Sequence, residues 1–334
     1  MVSPIQTAAA PTGFKDRKTG LVVFGILTAL MGGLCALMAL GMAFMVFHPP
    51  DLANGAPPPS PQAMALVVVE YVFFAVALVW LGIGSMMARR WARALLLISS
   101  WSWLLVGVLA MGMMAFALPH LMEATRSAAP AGQPALPASA NAIILVITMT
   151  VFSVMFVLLP AVWVLFYQSK NVKATCEALD PVSRWTDRCP LPVLAVSLWL
   201  TFSAVMMLVM SLAYRGVIPF FGMFVVGPLG SALYVLIGIV WAYSAWALYK
   251  LDRRGWWLIV VSFTVFAISG FITYCYHDLN ELYSLLGYSE AQLEQLQKFN
   301  FLKGQSMAWF TLVFTAPFLG YLFYIRKFLP PRTV

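Results

Sequence analysis

Long apolar runs separated by short polar stretches set the pattern of this chain, and eight of them recur, at 21–47, 64–88, 94–118, 140–167, 191–213, 218–249, 256–275 and 307–324. A run of about 20 apolar residues is long enough, as a helix, to cross a hydrocarbon layer of roughly 30 Å. The runs are continuous and do not alternate with period two, which excludes an outer-membrane barrel and predicts helices whose backbones are satisfied internally. The expected fold class is therefore all-α, an integral membrane bundle of eight transmembrane helices. The first run has a basic flank, but it is too long for the apolar core of a signal peptide, and seven more follow. It is expected to be a retained anchor.

The polar stretches give the organisation. Residues 1–19 form a tail, 20–168 a first four-helix membrane unit, 169–190 a connecting loop, 191–327 a second four-helix unit, and 328–334 a short tail. The loop at 49–62 is too rich in proline to be helical, and a second Pro/Ala loop at 119–139 leads to span four. In the last loop, Ser289 with Gln292 reads as a capping box and Tyr288 with Leu293 as a hydrophobic staple. Leu293, Leu296 and Phe299 then share one face, so an amphipathic surface helix is expected over 289–299.

Composition agrees with this picture: 62% of the residues are hydrophobic and 10% charged, and the mean hydropathy is +0.88. The net charge of +8 would suit nucleic acid if it were clustered on one soluble face. With the amino terminus placed in the cytoplasm, 16 basic residues fall on the cytoplasmic side and 4 on the outer side. That asymmetry predicts both termini inside, with the cations anchored at anionic headgroups and no nucleic-acid partner. The four cysteines do not form a secreted disulfide framework.

The second half repeats the plan of the first. Asp16-Arg17 precedes span one and Asp187-Arg188 precedes span five. Arg89–Arg93 after span two answers Lys250–Arg254 after span six. Pro160, Phe166, Tyr167 and Lys170 match Pro317, Phe323, Tyr324 and Lys327, each pair 157 residues apart, and His120 and His277 share that offset. A duplicated four-plus-four arrangement is expected, with parallel halves because each unit has an even number of spans.

Candidate chemistry is sparse. In the central loop, Cys176 and Cys189 flank Glu177, Asp180 and Asp187, but they have neither zinc-ligand nor CxxC spacing. A structural reading suits the loop better. Asp180-Pro181 starts a turn, Pro190 and Pro192 lead into span five, Trp185 lies at the interface, and Arg184 and Arg188 pair with Glu177 or Asp187. The run NVKATCEALDPVSRWTDRCPLPVL resembles a block of bacterial polytopic membrane proteins that carry no assigned activity. That resemblance implies a bacterial inner membrane and no particular chemistry.

His48, His120 and His277 all fall at outer helix ends beside a carboxylate, which makes them candidate metal or proton-relay groups. Glu70, six residues into span two, should face protein or water, because a charge costs about 2.5 to 3.5 kcal/mol in mid-membrane. Gly227, Pro228 and Gly230 are expected to bend or interrupt span six. The chain has no phosphate loop, HExxH, GxSxG or paired haem histidines, and no cofactor is expected. Three readings follow: a scaffold or accessory subunit whose partners are lipid and other membrane-protein subunits or copies of itself, a transporter or channel for a small or lipophilic solute, and an enzyme or redox protein using the histidines or cysteines.

Overall fold

A computed structural model describes residues 14–48, 61–127, 138–288 and 304–330, with 290 and 293. Among them are eight helices long and apolar enough to cross a membrane, so this is a multi-pass membrane protein. The chain runs through α1 (Lys18–Phe47), α2 (Pro61–Met86), α3 (Arg90–Ser127) and α4 (Ala138–Ser153). A π-helical turn (Val154–Leu158) joins α4 to α5 (Leu159–Gln168), and the short helix α6 (Lys170–Leu179) follows. Next come α7 (Leu191–Ala213), strands β1 (Ile218–Phe220) and β2 (Met223–Val225), α8 (Gly227–Tyr249), α9 (Arg253–Tyr276), α10 (Leu279–Leu285) and α11 (Gly304–Ile325). Of the surface helix expected at 289–299, residues 290 and 293 are helical and the others lie outside the described residues.

Two compact units divide the chain, the first built from α1, much of α2 and α3, and 144–188. Its helices meet through small residues. A Cβ on Gly25 would come 2.7 Å from the carbonyl oxygen of Gly82, and one on Gly82 would come 2.6 Å from that of Gly25. Lipid supplies no hydrophobic drive between helices, so such backbone contact, rich in dispersion, is what holds α1 to α2. The contact is closed by polar bonds. The Ser85 hydroxyl donates to the carbonyl of Leu21 at 3.0 Å and lies 2.7 Å from the Tyr167 hydroxyl. The Trp163 indole N–H donates to Thr28 Oγ1 at 3.3 Å. Proline at 160 cannot donate back to the carbonyl of Phe156, and the chain widens to a π-helical turn just before it. That carbonyl packs where Gly107 of α3 has no side chain.

The second unit holds Cys189 onward, together with the part of α2 before Val67, the part of α3 after Gly112 and the part of α4 before Ile144. Its core joins Val196, Leu200 and Ala204 of α7, Trp241 and Leu248 of α8, Trp256 and Ile259 of α9, and Leu322 and Ile325 of α11. Ser197 donates to the carbonyl of Ala245 at 2.7 Å, and the fully buried Trp256 donates its indole N–H to that of Leu322 at 2.6 Å.

Three expectations need correction. Span six does not start at 218. Residues Ile218–Val225 form a hairpin, with Ile218 opposite Val225 and Phe220 opposite Met223. Phe221 and Gly222, at φ 42° and 91°, make the two-residue turn. Gly227 and Pro228 do not interrupt the helix but begin it, proline falling where no N–H is needed. Nor is 169–190 merely a loop, since ten of its residues form α6, and the segment to Arg188 belongs to the first unit. Lastly, the pairs 157 residues apart are not equivalently placed: Pro160 and Tyr167 are buried, whereas Pro317 and Tyr324 are exposed. His120 lies within the unbroken α3, whereas His277 caps the end of α9.

A different offset relates the turn between α2 and α3 to the turn between α8 and α9. Ala88 and Leu251 both have positive φ (51° and 61°). The Arg89 N–H bonds the carbonyl of Gly84 at 2.9 Å, and Asp252 bonds that of Ala247 at 2.8 Å. These positions, like the helix starts Arg90 and Arg253, are 163 residues apart. Gly84 packs on Ala92, and Gly255 packs on Ala247, so the same two contact positions carry glycine and alanine in exchanged order.

A methyl group at Gly230 would run into the carbonyl of Gly216, whereas one at Gly33 would meet nothing within 4 Å. Gly230→Ala should therefore lower stability by about 1–3 kcal/mol, seen as a lower melting temperature in detergent, while Gly33→Ala leaves it unchanged.

Candidate functional site

Polar groups gather in two places, one in each unit. In the first unit, Ser169 takes an extended conformation (ψ 134°) that ends α5 and lets the chain turn into α6. The backbone N–H of Arg17 donates to Thr175 Oγ1 at 3.1 Å, tying α6 to the start of α1. Beyond α6 lies Asp180, only 2% exposed. Its Oδ1 accepts from Arg184 Nη2 at 3.0 Å and stands 3.7 Å from Arg89 Nη1, while its Oδ2 accepts the Arg90 N–H at 3.3 Å. Arg90 extends the network to Asp187 at 3.5 Å and to Glu177 at 3.6 Å, and Lys173 also pairs with Glu177 at 3.8 Å. The Arg184 N–H donates to Asp187 Oδ2 at 2.9 Å.

This arrangement corrects the pairing expected for the loop. Arg184 bonds the Asp180 side chain, the partners of Glu177 and Asp187 come largely from the start of α3, and Arg188 is exposed. The arginines of the turn between α2 and α3 were thus the missing half of the site. Their sequence signal was the clustering of Arg89, Arg90 and Arg93 at a helix start, where helix polarity alone would not favour cations. Burial works to raise the Asp180 carboxyl, but the bonds from Arg184 and the Arg90 N–H and the charges of Arg184 and Arg89 outweigh it and hold it below the usual carboxylate range. Burial pushes the Cys176 thiol up to about 11 in spite of Arg93, and the Cys189 thiol likewise to about 11. Burial thus favours the neutral thiol at both positions at neutral pH. Trp185 is 40% exposed, as suits an interfacial indole.

The second polar group surrounds the hairpin. The N–H groups of Phe221 and Gly222 donate to Ser269 Oγ (3.0 Å) and Thr273 Oγ1 (3.1 Å) of α9, and Ser269 donates to the carbonyl of Pro219 (3.2 Å). Ser269 stands seven residues before Tyr276, the end of α9, or about 10 Å of helix. Non-helical backbone at such depth needs protein partners, and these hydroxyls supply them. His277 Nε2 lies 2.8 Å from the Gly222 carbonyl oxygen and Nδ1 2.6 Å from Glu281 Oε2. With both ring nitrogens engaged, neither lone pair is left for a metal ion. Among the described residues no group of three or more His, Cys, Asp or Glu is placed to hold one. His48 is exposed, and the His120 side chain lies outside what is described. Behind the hairpin, Ile218 and Phe221 wall an apolar cavity of about 220 Å³ with Leu236 and Val240 of α8 and Val265 and Phe266 of α9.

Glu70 belongs to neither cluster. It is exposed on α2, beside a face on which Val69, Phe73, Val76, Trp80 and Ile83 are also exposed.

Asp180→Asn should destabilise the protein by about 1–3 kcal/mol at neutral pH, the range for a hydrogen bond to a charged group with half-exposed partners. Because the carboxyl is held below its unfolded value, that contribution is present above about pH 4 and is lost as pH falls through the folded value. Melting curves of the two proteins should accordingly converge in acid. Comparison with known proteins gave no match among family models, curated proteins or solved structures.

Proposed function

We propose that this multi-pass protein is a non-catalytic scaffold or accessory subunit of a membrane assembly, built as two four-helix units, with both termini in the cytoplasm of a bacterial cell and the spans in its inner membrane. The observation that carries the reading is Glu70, an exposed carboxylate on an apolar face inside span two. Left against lipid it would cost about 2.5 to 3.5 kcal/mol near mid-membrane, so a polar group on a neighbouring subunit or a second copy of the chain is the natural cover. The ion-paired loop supports the same reading, since its charges bond one another and burial favours the neutral form of its cysteines. The matching inner turns, 163 residues apart, support the duplication, and the excess of basic residues at the termini and inner turns supports the orientation.

A second reading, a carrier of lipophilic solutes, is favoured by the cavity of about 220 Å³ between the hairpin, α8 and α9, which is of a size to hold part of an alkyl chain.

Purification from the source membrane in a mild detergent should give the chain with a stoichiometric partner or as an oligomer, and Glu70→Lys should weaken that association while the protein stays folded. A monomer whose elution is the same with and without Glu70→Lys would sink the subunit reading, and a bound lipophilic molecule found by mass spectrometry in that monomer would favour the second. The orientation is checked separately. Cys275 is exposed while Cys176 and Cys189 are buried, so an impermeant maleimide applied to intact cells should label the chain, and Cys275→Ser should abolish that labelling.

A further inference from the structure

We propose that His277 is a proton-operated latch that pins the β1–β2 hairpin to the end of α9, so that acidity in the compartment the hairpin faces holds it in place beside the apolar cavity and alkalinity loosens it. The inference rests on hydrogen-bond chemistry. Both partners of the ring, the Gly222 carbonyl and the Glu281 carboxylate, are acceptors. A neutral imidazole has one N–H and can serve only one of them, whereas the imidazolium has two and serves both. The latched arrangement is therefore that of the protonated ring. The bonds to Glu281 and to Gly222 raise the proton affinity of His277 above its ordinary value.

Among side chains, imidazole is the one whose ordinary charge change falls near neutrality. Residues 218–225 carry no ionisable side chain. From α9 comes Tyr274, packed edge-on against Phe224, whose ring also meets that of His277 at 5.5 Å. From α10 come Glu281, Tyr283 and, at its start, Asp278. From the end of α7 comes Arg215, whose guanidinium lies beside Gly287. Burial pushes the Tyr283 phenol above its ordinary range. The hairpin's position matters because Ile218 and Phe221 form one wall of the cavity, and because a two-stranded hairpin is marginal without such anchors.

The sign follows from the raised affinity. Latching is complete below about pH 6.5 and is lost as pH rises through the higher value of the folded protein. Hydrogen exchange of the full chain in lipid nanodiscs, expressed as protection relative to unstructured peptide at each pH, reads it out. Protection at the Phe221 and Gly222 amides should fall about tenfold between about pH 5.5 and pH 8.5 while that of Ile259 and Val260 in α9 stays level. The midpoint should move to lower pH in Glu281→Gln, and the change should vanish in His277→Gln. Level protection in the native chain, or a fall that persists in His277→Gln, would overturn the latch. If His277→Gln does not fold, an unmoved midpoint in Glu281→Gln would overturn it instead.

Discussion

Inside a bilayer the surroundings are as apolar as the side chains, so burial of leucine or phenylalanine does little to bring helices together. What remains is close contact and the satisfaction of every polar group. Both units rely on this. Gly25 and Gly82 bring the backbones of α1 and α2 within reach, as Gly230 and Gly216 do at the head of α8. Wherever the chain crowds in this way, a hydroxyl or indole closes the contact with a bond to a carbonyl, as Ser85 does to Leu21, Ser197 to Ala245 and Trp256 to Leu322. Small residues supply the approach, and the hydrogen bonds select one approach among many.

The same constraint explains where the non-helical backbone is tolerated. The hairpin after α7 sits beside a membrane-spanning helix, and its turn amides are received by Ser269 and Thr273. A tightly anchored hairpin of this kind has a definite position, and in the proposed latch the imidazole at its edge makes that position sensitive to protons. The knot around Asp180 has the opposite character. Three of the contacts of Asp180 come from arginines or their backbone, and they hold its carboxyl below the usual carboxylate range in spite of burial. One polar cluster is suited to fastening, the other to release.

These features favour a protein that acts through its shape and neighbours. The buried carboxylate neutralises arginines of its own unit, and the cavity is walled by hydrocarbon. The group left over is Glu70, on an exposed face of α2. A carboxylate at that depth is most economically explained by contact with another membrane protein, and this links the packing of the chain to its proposed role in an assembly.

The number of spans was written in the sequence, because hydrophobic run length is a one-dimensional property that the membrane thickness converts into helices, although the run at 218–249 yields a helix only from Gly227. So were the helix-breaking turns after spans two and six and the clustering of charge near 170–188. The tertiary structure decided the rest. The apolar stretch after Gly216 read as helix because Ile, Phe, Met and Val suit either state in lipid, and its turn is Phe-Gly where Asn-Gly would have signalled a hairpin. Asp180 was visible as a turn residue, but its partners lie some 90 residues earlier, and only folding brings Arg89 and Arg90 to it. His277 looked like one of three equivalent outer histidines. Its distinct role comes from a carbonyl 55 residues away, a distance over which sequence pattern carries no information about contact.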